Sequence, residues 1–517
     1  SRVGAHRQAA SAYEQVLARG GRLDPAQRAR VAEAYAWSLS NSNQPTAAAQ
    51  AAAQAVTEWE RAGDDQRLVP ALVTLSRQEW LTERPEAARA SALRAVALAS
   101  THPGGYREAL ARLNLGGLLV VLDEEQDGVE QLRTALAACE RLDERGLAAL
   151  AHNYLGSAAL QLGDVGGQVE LEQSLELARA AGRHDHAMRA YYNLVEGLWR
   201  LGRYEEAATW MDRAVAYSQD REFPVHAYML TARRYRLLAM RGAWDEALAG
   251  LRDLVDGRGD PGMIGRETLP ILARLLVRTG NPGATVTLRL AAEHSVRAGA
   301  LEWVVPTGLA HLEQAWLTGS PEIADPHAAS LWDRTDRPGM LVQRAEVMRY
   351  LRRLGRPTEP VDGGPEGFTA GLAGDWSAAA DAWGRDGDPY ERALELAESG
   401  EVDPTLEALD VLDSLGAAPA AKLVRLRLRA LGVTRMPRRP LASTRANPAG
   451  LTDRQVEILR LVGSGLSNAE IASRLVVSTR TVDHHVSAIL QKLGARTRRE
   501  ASRRIASLGL AGQDAAG

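Results

Sequence analysis

Along most of the chain, apolar positions recur at helical spacing in runs of about 16 to 18 residues, separated by short polar breaks. Every second break falls at Gly4, Asn43, Glu83, Asp123, Gly163, Gly202, Gly242, Gly280 and Gly319, at intervals of 38 to 40 residues. Most are followed by a charged or aromatic residue and then an Ala-rich amphipathic run, as in Gly202-Arg203-Tyr204-Glu205-Glu206-Ala207-Ala208 and Gly242-Ala243-Trp244-Asp245-Glu246-Ala247-Leu248. Ala, Leu, Glu and Arg favour helix, and Gly marks C-terminal stops, so each period predicts two helices joined by tight turns. A single helix pair cannot bury its apolar side alone, whereas a stack of them can. The pattern therefore predicts an all-α solenoid of ~40-residue helix pairs over residues 1–355.

Periodicity fades after Gly319. A Pro/Gly-rich break, Arg356-Pro357 to Gly367, precedes a terminal helical segment of the solenoid within 356–434. In it, Gly374-Asp375-Trp376-Ser377-Ala378-Ala379-Ala380 has the form of one more repeat turn. Residues 435–450 hold four arginines and three prolines without apolar periodicity, the composition of a linker. From Leu451 the pattern sharpens into four short helices over 451–510. Thr452-Asp453-Arg454-Gln455 and Ser467-Asn468-Ala469-Glu470 fit the capping box, and Gly463-Ser464-Gly465 ends the first helix. Leu475-Val476-Val477-Ser478 is a short turn into a longer helix that stops at Gly494. Helix, tight turn, longer helix is a helix-turn-helix.

Composition adds little until it is divided. Of 517 residues, 45% are hydrophobic and 25% charged, as in ordinary globular chains. No apolar run reaches the roughly 18 residues of a membrane-spanning helix, and no signal-peptide order opens the chain, so a cytoplasmic protein without membrane partners is expected. The single Cys139 excludes an internal disulfide and reads as a small buried hydrophobe. Net charge is −3 overall, but residues 435–517 hold 14 Lys+Arg against 6 Asp+Glu, leaving 48 against 59 for residues 1–434. A basic module on an acidic body is the electrostatic footprint of a nucleic-acid reader. Ser1 stands just ahead of an amphipathic pattern from Arg7 to Arg19, so the sequence reads as a fragment or as a start placed late.

In the third helix of the C-terminal module, Val482, Val486, Ile489, Leu490 and Leu493 cover one side, which predicts that it packs inward. The opposite side presents Arg480, His484, Ser487 and Gln491, with Asp483 on its flank. A helix in the major groove reads bases with its N-terminal half, so Asp483, His484 and Ser487 are the expected base contacts. Arg480, Lys492, Arg496, Arg498 and Arg499, with Asn468 and Thr497, are the expected backbone contacts.

Two resemblances follow from these residues. The helix pairs resemble the tetratricopeptide repeat, with small crossing residues at Gly156, Gly197, Ala207 and Ala247, although that family's period is about 34 residues. Leu451-Thr452, Arg454, Gly465-Leu466-Ser467-Asn468, Glu470-Ile471-Ala472, Thr481-Val482, His485, Lys492-Leu493-Gly494 and Arg498 together resemble the LuxR-type helix-turn-helix over its whole length. That resemblance implies base contacts at Asp483, His484 and Ser487. Many of its members carry Lys where this chain has Asp483, so base preference does not transfer. Solenoid plus terminal LuxR-type domain resembles the C-terminal part of the large ATP-binding LuxR-type regulators. Those have a P-loop ATPase ahead of the solenoid; here no Gly-x-x-x-x-Gly-Lys-Ser/Thr occurs, and Lys422 and Lys492 are the only lysines, so no ATP or other cofactor is expected in this chain.

Other features carry blander readings. Gly257-Arg258-Gly259-Asp260-Pro261-Gly262 has dinucleotide-type glycine spacing but follows a helix, not a strand. His184 and His186 lack a third metal ligand and read as solvated. Trp37, Trp80, Tyr154, Tyr191, Trp199, Tyr204 and Trp244 read as inter-helix packing, and His485 as a structural hydrogen bonder beside the buried stripe. No catalytic constellation has local support, so an enzyme is not expected. The expected function is a sequence-specific transcriptional regulator whose repeats sense a ligand or protein and whose C-terminal domain binds operator DNA. Its partners would be double-stranded DNA, RNA polymerase, an inducer or protein on the solenoid, and further copies of the chain as a dimer or higher oligomer. The alternative is a repeat scaffold for protein interaction whose C-terminal domain no longer binds DNA.

Overall fold

The computed structural model describes residues 2–19, 21, 23–42, 44–101, 103–218, 224–256, 262–434, 451, 453–475, 477–495 and 497–507. Among them no strand occurs. The repeat array comprises α1 (Arg2–Ala18), α2 (Pro25–Asn41), α3 (Pro45–Ala62), α4 (Asp65–Leu81), α5 (Pro85–Ala99), α6 (Tyr106–Val121), α7 (Glu125–Arg141) and α8 (Arg145–Gln161). It continues through α9 (Gly167–Ala180), α10 (His184–Arg200), α11 (Tyr204–Ser218), α12 (Pro224–Met240), α13 (Trp244–Val255), α14 (Gly262–Thr279), α15 (Ala284–Ala298) and α16 (Leu301–Thr318). Shorter helices follow: α17 (Asp325–Thr335), α18 (Leu341–Arg353), α19 (Glu366–Ala373), α20 (Trp376–Arg385), α21 (Pro389–Leu396), α22 (Val402–Leu415) and α23 (Ala418–Ala430). The last four are α24 (Asp453–Gly463), α25 (Asn468–Leu475), α26 (Thr479–Lys492) and α27 (Arg498–Ser507). The chain forms two compact units, residues 1–395 and 396–517, divided within the stretch that the sequence groups as one terminal segment. The expected linker 435–450 lies outside the described residues, as do Asn43, Gly257 to Pro261, Thr452 and Arg496.

The repeat breaks share one backbone conformation. Glu83, Asp123, Gly163, Gly202, Gly242, Gly280 and Gly319 all have φ between 58° and 84°, the left-handed stop that releases a helix and starts the next. Gly4 departs from the expected pattern, because it lies inside α1. A lone Gly among helix formers costs about 1 kcal/mol relative to Ala, which is not enough to end a helix. Starts are set by Pro25, Pro45 and Pro85 at first helical positions, and at α2 by a capping box in which Asp24 Oδ1 accepts from Gln27 N at 2.8 Å. Pro70 sits inside α4, where its missing N–H leaves the Gln66 carbonyl without a helical donor. Arg107 of α6 donates its Nε to that carbonyl at 2.8 Å.

Even-numbered helices α2 to α16 line the inner side of the array, which returns upon itself. Glu83, in the α4–α5 break, accepts from His294 at 2.7 Å and from Arg297 at 2.6 Å, both on α15. Trp80 and Trp303 meet with ring centroids 5.8 Å apart. Gly339, in the turn before α18, lies so close to the end of α8 that a Cβ there would stand 2.0 Å from the Gln161 carbonyl oxygen, and only glycine fits. The return encloses a cavity of about 730 Å³ bordered by α2, α4, α6, α8, α10, α14 and α16.

Beyond that cavity the interior is charged. Arg233, 5% exposed, is ion-paired to Glu196, Glu267 and Glu302 at 2.7–2.8 Å. Arg274 and Arg278 both bind Glu313, whose carboxyl stays at about 2 against the effect of burial because of those two guanidinium groups. Glu302 has less compensation, and burial with the nearby Glu267 and Glu196 pushes its carboxyl up to about 7.

Two sequence readings change here. His186 is not solvated: it is buried, its Nδ1 lies 3.0 Å from the Gly146 carbonyl, and burial holds it down at about 4. Its neighbour His184 is half-buried with Nδ1 2.6 Å from the Tyr217 hydroxyl. Among the aromatic residues, Tyr191, Tyr204 and Trp244 are buried in packing, but Trp37 is 64% exposed and borders the cavity with Trp80 and Tyr154. Trp80 packs on Trp303 of α16 and Tyr154 on Gly117 of α6 as well, so of these three only Trp37 departs from the packing role. Among the described residues no helix is long and apolar enough to cross a membrane, and no group of three His, Cys, Asp or Glu could hold a metal ion.

Candidate nucleic-acid interface

The four terminal helices close around their own apolar core, in which Leu451, Ile458, Leu459, Ile471, Val482 and Ile489 are buried. Each buried Ile or Leu contributes about 1.5–3 kcal/mol. α25 begins with the expected capping box: Ser467 N donates to Glu470 Oε2 at 2.6 Å and Glu470 N to Ser467 Oγ at 3.3 Å. The bonds from Ser467 hold the Glu470 carboxyl below its usual value. α26 has a cap the sequence reading did not single out, Ser478, whose side chain accepts from Thr481 N at 3.1 Å. The signal was present in Ser478-Thr479-Arg480-Thr481, a serine immediately ahead of a helical pattern. Arg454, also without an expected role in packing, donates Nη2 to the Leu475 carbonyl at 3.0 Å and so ties α24 to the end of α25.

On α26, Val482, Ile489 and the following Leu493 are buried, while Val486 and Leu490 are half-buried against the same core. Arg480, Asp483, His484, Ser487 and Gln491 are exposed on the other side. His485 is half-buried at the boundary between the two.

The expected backbone contacts divide by what already holds them. Asn468 donates Nδ2 to Asp483 Oδ1 at 2.6 Å, and its own Oδ1 accepts from Arg498. Arg498 also donates to the Leu466 carbonyl. One chain of bonds thus runs from α27 through the start of α25 to the flank of α26, orienting Asp483. Thr497 accepts from Glu500 N at 3.2 Å as the cap of α27. Lys492 is exposed with its Nζ 3.1 Å from Gln455 Oε1, and Arg480 and Arg499 are exposed. An amphipathic helix presenting imidazole, hydroxyl and carboxylate groups between arginines can hydrogen-bond to base edges and to phosphates.

Residues 449–505 match the family described as bacterial regulatory proteins, luxR family. The chain is similar to the transcriptional regulatory protein LnrK of Bacillus subtilis (strain 168), 46% identical over 52 residues, which are 10% of this chain and 24% of that protein. It is also similar to the response regulator protein VraR of Staphylococcus aureus (strain Mu3 / ATCC 700698), 49% identical over 51 residues, again 10% and 24%. The chain thus spans about a quarter of the length of the curated relatives it matches. Among solved structures it resembles a Rap protein complexed with competence and sporulation factor, at 13% identity and a TM-score of 0.39, covering 66% of this chain and 80% of that one. The C-terminal domain is a luxR-family helix-turn-helix, preceded by a helical repeat solenoid.

Proposed function

We propose that this chain is a transcriptional regulator whose C-terminal domain binds operator DNA with sequence preference and whose solenoid senses a ligand or protein partner. The observation that carries the reading is the exposed polar face of α26, set opposite the domain's buried core. In this reading α26 lies in the major groove, with Asp483, His484 and Ser487 at base edges. Arg480, Lys492 and Arg499 reach phosphates, and Arg496 is assigned the same role from its place in the sequence. Asn468, Thr497 and Arg498 approach the backbone while holding α25, α26 and α27 together. Operators read by such helices are commonly two half-sites, so the chain acts as a dimer or higher oligomer on DNA, with RNA polymerase as a further partner.

The test is selection of binding sites from random duplexes with the full chain, followed by salt titration on the selected and scrambled sequences. The reading expects a selected motif bound at least about a thousandfold tighter than scrambled DNA, and log affinity falling linearly with log salt. Absence of DNA binding at low salt would favour the repeat-scaffold alternative.

A further inference from the structure

The wall of the solenoid cavity carries Asp185, Glu196 and Glu302, yet several of its guanidinium groups are ion-paired to none of them. Arg77 on α4, Arg189 and Arg200 on α10 and Arg266 on α14 all border it. None of the four has an ion-pair partner among the described residues, whereas Arg233, Arg274, Arg278 and Arg349 deeper in the same unit are each paired to two or more carboxylates. Arg266 is 1% exposed, and neither its Nε nor its Nη1 has a hydrogen-bond partner. It is held between two indoles, its guanidinium carbon 4.7 Å from the Trp80 ring centre and 4.2 Å from that of Trp303. Arg189 donates to the Tyr154 hydroxyl at 2.6 Å, but its Nε is also buried and unpartnered. An unpaired buried cation costs several kcal/mol, and here that cost falls on Arg266 and on the buried Nε of Arg189, while Arg77 is exposed to the cavity.

At this end of the cavity Arg77, Arg183 and Arg189 gather around one carboxylate, Asp185, which lies 3.5 Å from Arg183, so positive charge is in excess. Arg77 keeps water access through the cavity although protein crowds it on every side, and burial with the like charges of Arg189 and Arg183 lowers its guanidinium from the usual value. The same three arginines add to the burial that keeps His186 neutral. On the same cavity wall Trp37 leaves an indole exposed, one repeat period before Arg77. A void of about 730 Å³ is of the size that encloses a small organic molecule.

We propose that the solenoid cavity binds a small organic anion, with a carboxylate or phosphate group on Arg77 and Arg189 and a planar or apolar body against Trp37 and Trp80. This rests on the reading of the solenoid as the sensing part, and it names the site and the ligand chemistry. Pairing with an anion would satisfy the open Nε of Arg189 and the guanidinium of Arg77 with charge-assisted hydrogen bonds. Repulsion between Arg77, Arg183 and Arg189 would be relieved in the complex, so binding should stabilise the fold.

The experiment uses the full chain without DNA, read by tryptophan fluorescence and by Tm. The probes are matched pairs: adenosine monophosphate against adenosine, and phenylacetate against phenylacetamide, with inorganic phosphate alongside. The anionic member of at least one pair should quench fluorescence and raise Tm, while its neutral partner does neither; which pair responds assigns phosphate or carboxylate. Arg77→Gln should weaken that response by about tenfold to a hundredfold, the worth of a hydrogen bond to a charged group, and Arg77→Lys should restore part of it. The ligand-free Arg77→Gln protein should melt at or above the wild-type temperature, since a like charge has been removed; a purely structural arginine would instead lower it. Equal response to the neutral partner, an unchanged response in Arg77→Gln, or no response to any of the anions overturns the proposal. A chain that binds the anion and no DNA keeps the site and retires the regulator reading; one that binds DNA and no anion does the reverse.

Discussion

Asp123 Oδ2 accepts a 2.7 Å hydrogen bond from the backbone N–H of Leu301, so a residue in the α6–α7 break caps the first turn of α16 from 178 positions away. Asp123 has φ +63°, where the later breaks of the repeat, from Gly163 to Gly319, place glycine. A non-glycine residue there costs roughly 1 kcal/mol of backbone strain, which the cap and the closing contact offset.

Substitution at Asp123 separates those two effects. Asp123→Gly relieves the strain but deletes the cap, and should lower Tm of the solenoid. Asp123→Asn keeps an acceptor, tolerates the left-handed backbone and removes a carboxylate that burial raises above its usual pKa, so it should match or exceed wild type. Asp123→Ala loses the cap and keeps the strain that wild type already carries, a cost of about 0.5–2 kcal/mol. Thermal melts of the three variants should rank Asn, then Gly, then Ala, and a Gly variant above wild type would show that the long-range cap contributes less than the strain costs.

Buried charge sets a second expectation. Glu302 titrates at about 7 in the fold, and an unfolded glutamate ionises near the usual 4.3. A raised carboxyl pKa means that the folded state holds the proton more tightly, so this group favours folding below about 4.5 and that contribution is lost as pH rises to about 7. Glu302→Gln should therefore be close to wild type in stability at pH 5 and more stable by about 1–3 kcal/mol at pH 8. Melts at the two pH values check this; a variant less stable at pH 8 would mean that Arg233 needs all three of its carboxylates.

How much of this was legible in the sequence depends on the range of the interactions. Helix pairs, their period and the Ser467 capping box are local, and local chemistry determines them: a left-handed stop favours glycine, and a capping serine or aspartate stands where the helix begins. The wheel of α26 was equally legible, since Val482 and Ile489 recur at helical spacing. Closure of the array was not, because Glu83 with His294 and Asp123 with Leu301 pair across 211 and 178 residues through the pitch of the superhelix, which no window of sequence encodes. Only one local trace existed: Glu83 and Asp123 stand at breaks where the later repeats, from Gly163 to Gly319, have Gly. The bonds of Asn468 and Arg498 were hidden similarly, since a polar residue beside a recognition helix reads as a DNA contact until its partner is seen.

Those bonds refine which substitutions report on DNA alone. His484→Ala or Ser487→Ala should cost about 1–3 kcal/mol on the selected site and little on scrambled DNA. Lys492→Ala should weaken both alike and reduce the salt slope by about one unit. Arg498→Ala should do more, because it also frees the Leu466 carbonyl and Asn468; its C-terminal domain should melt earlier before any DNA is added. Salt titrations with a melt of each variant test the division. If His484→Ala and Lys492→Ala gave the same specificity ratio and salt slope, the face assignment on α26 would be wrong.

Asp483 carries a negative charge on a helix proposed to approach phosphates, and the Asn468 bond at 2.6 Å fixes where that charge points. A carboxylate held at the groove can accept from a cytosine amino group, which is favourable on one sequence, and it repels phosphate on every sequence. Asp483→Asn removes the charge while retaining an acceptor for Asn468, so the domain should keep its melting temperature. Affinity for scrambled DNA should then rise, because the general repulsion is gone, whereas affinity for the selected site should change little or fall. The ratio between the two is the quantity to measure, at one fixed salt concentration because both affinities depend on salt. A drop of roughly tenfold in that ratio corresponds to about 1.4 kcal/mol, within the range of one base contact. If both affinities rose by the same factor, Asp483 would act as a general electrostatic brake, and base readout would rest on His484 and Ser487.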